Sequence, residues 1–265
     1  MPFAGNYVIS RLAVAAFLCS QSLTAQSSAL PNSFEGTVNA KALMARGVVA
    51  YNAGNDSLAL ILFRQAAGLG DVDAMMYLGV MDGSGRGVNV DYRAAMGWFK
   101  KAADAGNSQA MCNIGLLHLQ GLGTPQSDSE AMSWFRKAAT SGNAEATFNV
   151  GVLYRDGLGV SANYPEAMRW FRRAAGLGDA PAANAIGVLY QQGLGVLVDY
   201  AESMSWYRRA AEAGNETAMY NIGVLFEEGL GVVRDRDQAI AWYRKAAAAG
   251  NEPAKSALKS LEIKN

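Results

Sequence analysis

Histidine and cysteine are almost missing from this chain, with one histidine and two cysteines among 265 residues. A single histidine, His118, rules out any paired-histidine metal site within one chain, the His-Glu-x-x-His zinc helix included. Two cysteines, Cys19 and Cys112, cannot make a disulfide framework, so packing has to hold the fold together. Charge of one sign is not in excess, because Lys plus Arg equals Asp plus Glu at 23 each. A neutral chain without a basic stripe argues against nucleic acid, whose binding needs clustered cations to displace counterions. Long apolar runs are lacking too: beyond the N-terminal residues no stretch approaches the length of a membrane span. Disorder is excluded from the other side, since hydrophobic residues make up 51% and charged residues only 17%.

What the chain has is repetition. Trp98, Trp134, Trp170, Trp206 and Trp242 fall 36 residues apart. The same spacing links Gly79, Gly115, Gly151, Gly187 and Gly223, and also Gly106, Gly142, Gly178, Gly214 and Gly250. A fixed period of this size means stacked supersecondary units rather than one closed globule. Such a stack makes an extended surface, and surfaces of that kind usually bind other proteins.

The N-terminus departs from the pattern. Arg11 precedes the apolar run from Leu12 to Leu18, too short to cross a bilayer but suited to the core of a secretory signal. Small residues follow, placing cleavage after Ala25, with Ala29 the alternative. Residues 1–25 are therefore expected to be a signal peptide and 26–39 a flexible N-terminal segment. Cleavage would leave Cys112 as the only cysteine, in a helical pattern among apolar neighbours, where a small buried or groove-lining side chain is expected rather than a nucleophile.

One repeat, residues 143–178, shows how a unit builds itself. Ala146, Val150, Leu153 and Tyr154 recur at helical spacing and predict a first amphipathic helix. Gly157-Leu-Gly159 breaks it, and Tyr164, Ala167, Met168, Phe171, Ala174 and Ala175 form the stripe of a second, with Trp170 bordering it. Two helices on a short connection fold back antiparallel. Asp91, Ser127, Asn163, Asp199 and Asp235 stand where the second helix needs an N-cap. Glu130, Glu166, Glu202 and Gln238 follow three residues later, completing capping boxes. The glycine at 106, 142, 178, 214 and 250 suits a left-handed stop, and the Asn or Asp after it caps the next helix. The pairs Trp98/Phe99, Trp134/Phe135, Trp170/Phe171, Trp206/Tyr207 and Trp242/Tyr243 are expected to fill the space between units. On that reading Trp170→Ala costs roughly 3–5 kcal/mol.

The pattern A-x-x-x-[LIV]-G, seen at Ala146–Gly151, the Gly-Leu-Gly-Val loop, and A-M-x-W-[FY]-[RK]-[RK]-A-A resemble the SEL-one-like repeat (SLR) family, a subclass of tetratricopeptide-like helical solenoids. The resemblance implies an all-α, right-handed superhelical solenoid of stacked antiparallel helix pairs. Five full units would occupy 71–106, 107–142, 143–178, 179–214 and 215–250. Residues 40–70 resemble a shortened first unit, in which Gly47, Ala59, Phe63, Ala66 and Ala67 fit while Leu62 replaces Trp and the glycine loop is missing. Residues 251–265 would add a capping helix.

Catalytic signatures dissolve on inspection. The glycine loops Gly83-Ser-Gly85-Arg-Gly87 and Gly157-Leu-Gly159 follow no strand and lack the Lys-Ser/Thr ending of a phosphate loop, so they read as helix-linking turns. His118 stands where other units have Tyr154, Tyr190 and Phe226, and packing accounts for it better than a catalytic triad. Ser256-Ala-Leu-Lys259 fits the Ser-x-x-Lys pattern of penicillin-recognising enzymes but lies in the expected capping helix without a partner motif. No catalytic residue, cofactor or metal site is expected.

By family resemblance the first helices line the concave face, and positions that vary between units are free to serve a partner. The expected groove residues are Met76, Cys112, Phe148, Asn184 and Tyr220, with Leu119, Arg155, Gln191 and Glu227 on the last turns of those helices. Asn113, Asn149 and Asn221 recur and are expected to bond helix to backbone. These readings imply a non-catalytic adaptor that is periplasmic or secreted and holds a peptide or partner segment. A penicillin-binding repeat protein and a self-assembling structural protein stay open as alternatives.

Overall fold

The computed structural model describes residues 39–262, so the segment read as an export signal lies outside the described residues. Among the described residues there are thirteen α-helices and no strand. They pair in chain order as α1 (Ala40–Asn52) with α2 (Asp56–Gly68), α3 (Val72–Ser84) with α4 (Tyr92–Asp104), and α5 (Ser108–Gln120) with α6 (Asp128–Thr140). The order continues with α7 (Ala144–Asp156) and α8 (Tyr164–Gly176), α9 (Ala180–Gln192) and α10 (Tyr200–Glu212), α11 (Glu216–Glu228) and α12 (Arg236–Ala248), and closes on α13 (Glu252–Glu262). Two compact units divide between Ala138 and Ala139. Within each, a helix packs on its hairpin partner and on the first helix of the next hairpin, as α3 does on α4 and α4 on α5.

Local chemistry starts and stops each helix. Asn143 accepts from the Ala146 N–H at 2.7 Å, and Asn107, Asp179, Asn215 and Asn251 do the same three residues before Ala110, Ala182, Ala218 and Ala254. Second helices are capped by Ser127, Asn163, Asp199 and Asp235, which accept from the N–H groups of Glu130, Glu166, Glu202 and Gln238. The reciprocal half of the expected capping box is not made. The N-cap N–H already donates to the hairpin's first helix, from Asn163 to the Tyr154 carbonyl at 2.7 Å and from Asp235 to the Phe226 carbonyl at 2.9 Å. Glu166 is thereby released to pair with Arg169 at 2.6 Å.

The aromatic pair divides its labour. Phe99, Phe135, Phe171 and Tyr207 are wholly buried and Tyr243 is 1% exposed. Each lies against its hairpin's glycine so closely that a Cβ on Gly79, Gly115, Gly151, Gly187 or Gly223 would come within 2.5 or 2.6 Å of the ring. Phe63 fills the same notch at Gly47 in the first hairpin. The neighbouring tryptophans are only partly buried, yet Trp98 and Trp134 pack against the core shared with the preceding hairpin, between units as expected. One residue is a 100° step around a helix, so the second ring of the pair cannot face the same notch. Each indole carries a cation from the next turn: Lys101 over Trp98, Lys137 over Trp134 and Lys245 over Trp242 at 4.1–4.2 Å, with Arg173 over Trp170 and Arg209 over Trp206 farther off.

Within each unit, glycine loops join one hairpin to the one before. Gly157 caps α7 in the left-handed conformation, at φ 70°. The second glycine of a loop is the joint itself: a Cβ on Gly123 would sit 2.6 Å from the Tyr92 backbone, and one on Gly195 2.6 Å from Tyr164. In α3–α4 the residue between the glycines is Arg86 rather than leucine. Its guanidinium stacks 3.5 Å from the Tyr51 ring centroid, donates to the Tyr51 carbonyl and pairs with Asp56. One arginine thus fastens the short first hairpin, whose connection spans only residues 53–55. Farther along, Arg173 and Arg209 donate to the carbonyls of Ala139 and Ala175 in the preceding hairpin.

Candidate functional site

Variable positions on the first helices do not all reach solvent. Three residues before the notch glycine, Met76, Phe148 and Tyr220 are partly exposed, whereas Cys112 is wholly buried and Asn184 is 3% exposed. Leu119, four residues after its glycine, is also buried. Cys112, Asn184 and Leu119 therefore offer a partner almost no surface and drop out of the expected groove. The cause is side-chain length: at the same position on the wall, a short side chain ends beneath its neighbours while Phe148 and Tyr220 extend past them. Met76 belongs to the unit ending at Ala138, where it packs against the cores around Phe63 and Phe99.

The other retained positions, Phe148, Arg155, Gln191, Tyr220 and Glu227, fall in the unit from Ala139 onward. Two are aromatic platforms of matching geometry. Phe148 lies over buried Phe171 at 5.5 Å and 35°, and Tyr220 over buried Tyr243 at 5.4 Å and 33°. Each exposed ring is thus held by a ring that is itself locked into a glycine notch.

The polar positions have internal partners. Gln191 Oε1 accepts from the Tyr207 hydroxyl at 2.5 Å, and Glu227 Oε2 from the Tyr243 hydroxyl at 2.6 Å. Where the buried ring is Phe135 or Phe171, which has no hydroxyl, the matching position holds Leu119 or Arg155 instead. Arg155 makes a two-pronged pair with Asp156, at 2.7 and 2.8 Å. Burial, reinforced by Glu227 and Glu228, raises the Tyr220 phenol pKa. Burial and the bond to Glu227 raise that of Tyr243 well beyond the ordinary range, so both stay protonated.

Asn221 acts differently from expectation. Asn221 Nδ2 donates to Asn184 Oδ1 at 3.0 Å, a side-chain bond between successive first helices rather than from helix to backbone. Asn113 and Asn149 are buried. The sequence signal that could have found the bond is Asn184 itself, a polar residue where other units place apolar ones.

His118 is partly buried, and its Nδ1 lacks a hydrogen-bond partner. Burial lowers its pKa, against the pull of Glu130, so the ring is neutral near pH 7. Ser256 and Lys259 both lie exposed on α13. Among the described residues no group of three or more His, Cys, Asp or Glu is placed to hold a metal ion. Among them, too, no helix is long and apolar enough to cross a membrane.

The Sel1 repeat family model matches residues 41–71, 72–107, 108–143, 144–179, 180–215 and 217–251, together most of the chain. The chain is a Sel1-repeat protein. A Sel1 repeat protein from Oxalobacter formigenes is 35% identical, with 82% of this chain and 89% of that one covered and a TM-score of 0.78. The c5321 protein, a protective antigen of uropathogenic Escherichia coli with an SLR fold, is 31% identical over 85% of this chain, with a TM-score of 0.68. This chain covers 49% of that protein's length. The immunity protein Pa5087 from Pseudomonas aeruginosa, 19% identical over 84% of this chain and 86% of its own with a TM-score of 0.56, shares the fold. No curated protein matches. Sel1-repeat solenoids are generally scaffolds for protein–protein interaction and typically non-catalytic.

Proposed function

We propose that this chain is a non-catalytic adaptor of the bacterial envelope that holds a peptide or an extended segment of a partner protein. The binding surface is the first-helix face of residues 139–265, with Phe148 and Tyr220 as apolar anchors and Arg155, Gln191 and Glu227 setting polar register. The observation that carries this reading is the pair of partly exposed rings, each backed by a buried ring of its own repeat. Rigid aromatic surface of this kind binds with little loss of side-chain entropy and dominates interface energetics. Export rests on the Arg11–Leu18 pattern, and N-terminal sequencing of protein recovered from a periplasmic fraction checks it.

Crosslinking capture from envelope extract tests the surface. The wild-type chain should enrich a discrete partner, and Arg155→Glu with Tyr220→Ala should lose it while far-ultraviolet circular dichroism stays unchanged. Unchanged capture by a folded double variant removes the surface from consideration.

A further inference from the structure

The two anchor rings stand in different charge surroundings. Phe148 is followed on the last turn of α7 by Arg155 and Asp156, whose two-pronged pair is neutral as a whole. Tyr220 is followed at the same places on α11 by Glu227, partly exposed, and Glu228, exposed. Tyr243 links that ring to that charge: it backs Tyr220 at 5.4 Å, and its hydroxyl donates to Glu227 Oε2 at 2.6 Å. Burial and then both carboxylates raise the Tyr220 phenol pKa, which sets the two charges close to the ring. Arg234, from the loop after α11, donates to the Glu227 backbone carbonyl at 2.8 Å and is held beside them. One cation against two carboxylates leaves the Tyr220 end of the face acidic.

An exposed aromatic ring beside excess negative charge suits a cationic side chain. The ring receives the apolar stem and attracts the charge at its tip, and a carboxylate accepts from the tip's N–H groups. Phe148 has no such excess beside it and suits an apolar side chain. The distance between the two places follows from the repeat. Phe148 and Tyr220 share one position, three residues before the notch glycine, two first helices apart. Successive first helices adjoin, as the 3.0 Å bond from Asn221 to Asn184 shows, so two steps of about 8–10 Å span roughly 16–20 Å. An extended chain advances about 3.3 Å per residue and turns every second side chain to the same face, so the even spacing that fits is about six residues.

The geometry points to the chemistry of the partner: an extended segment with arginine or lysine over Tyr220 and an apolar residue about six positions away over Phe148. This rests on the surface proposed above and adds the sign of charge and the spacing that the surface selects.

The probe is a degenerate library of nine-residue peptides, passed at low salt over the immobilised full chain, with the retained pool sequenced. Arginine and lysine should exceed aspartate and glutamate by about three- to tenfold, as one cation–π contact with one partly exposed ion pair requires. The excess should fall about six positions from an aliphatic or aromatic residue. Glu227→Gln with Glu228→Gln, which keeps an acceptor for the Tyr243 hydroxyl, should remove the cation preference and leave the apolar one. Phe148→Ala should do the reverse, and far-ultraviolet circular dichroism confirms that each variant is folded. A pool that Tyr220→Ala depletes but that shows no cation preference overturns this inference and leaves the surface standing, as does a preference that survives both glutamine substitutions. A pool indifferent to Tyr220→Ala and Phe148→Ala, or no retained pool at all, overturns the surface and the inference together.

Discussion

The ring of Phe171 occupies the space that a side chain on Gly151 would need, with a Cβ there only 2.6 Å from two ring carbons. Gly151→Ala should therefore destabilise the fold by about 1–3 kcal/mol through overpacking. Gly97, within α4 and with nothing within 4 Å of its Cβ direction, is the control. Gly97→Ala should stabilise by roughly 0.5–1 kcal/mol because it removes only backbone freedom. Urea unfolding of the two variants should move in opposite directions, and a parallel shift would mean that the notch is not a steric constraint.

The division of labour between Trp170 and Phe171 predicts unequal losses. Phe171→Ala should cost about 3–5 kcal/mol, as a wholly buried ring does. Trp170→Ala should cost about 1–2 kcal/mol, reflecting partial burial and the Arg173 contact rather than a core void. Denaturation midpoints that rank Trp170 above Phe171 would contradict the burial pattern.

The hydroxyl bonds of Tyr243 and Tyr207 should separate a charged acceptor from a neutral one. Tyr243→Phe, which leaves Glu227 without its donor, should cost about 1.5–3 kcal/mol, and Tyr207→Phe opposite Gln191 about 0.5–1.5 kcal/mol. Adding Glu227→Leu to Tyr243→Phe recreates the Leu119/Phe135 combination and should recover part of the loss. A double-mutant cycle without coupling would show that the 2.6 Å bond contributes nothing net.

Asp179 gives a pH signature. Burial raises its carboxyl pKa from 3.8 to about 6, against the stabilising N–H of Ala182. The folded state then holds the proton more tightly than the unfolded state. This contribution to stability is complete below about pH 4 and is lost as pH rises through about 6. The matching cap is an asparagine in four other units, Asn107, Asn143, Asn215 and Asn251, and keeps the bond without the charge. Asp179→Asn should gain on the order of 1–3 kcal/mol over wild type at pH 7 and little at pH 4. Urea titrations at both values check it, and a gain independent of pH would exclude the buried carboxylate as its source.

Much of the fold was legible because helix periodicity, N-caps and stop glycines repeat in register, so each unit confirms the others. What escaped was phase at the scale of one residue. Tryptophan and its neighbour are both large and apolar, and only the glycine notch decides which ring enters. The candidate surface suffered the same way. Cys112, Phe148, Asn184 and Tyr220 share one position, yet side-chain length sorts them into wall and surface. The tyrosine bonds to Gln191 and Glu227 could have been anticipated, because tyrosine replaces phenylalanine only in the two units where the opposing residue accepts a hydrogen bond.

The second loop glycines Gly123 and Gly195 rest against the hairpin before them, Gly123 on the Tyr92 backbone and Gly195 on Tyr164. Unequal recombination between two copies of the gene, if it keeps register, inserts or deletes a whole block of 36 residues and rebuilds an identical seam. Changes of a few codons in a loop leave a seam that cannot close. Growth and shrinkage of such a protein during evolution therefore proceed in integers.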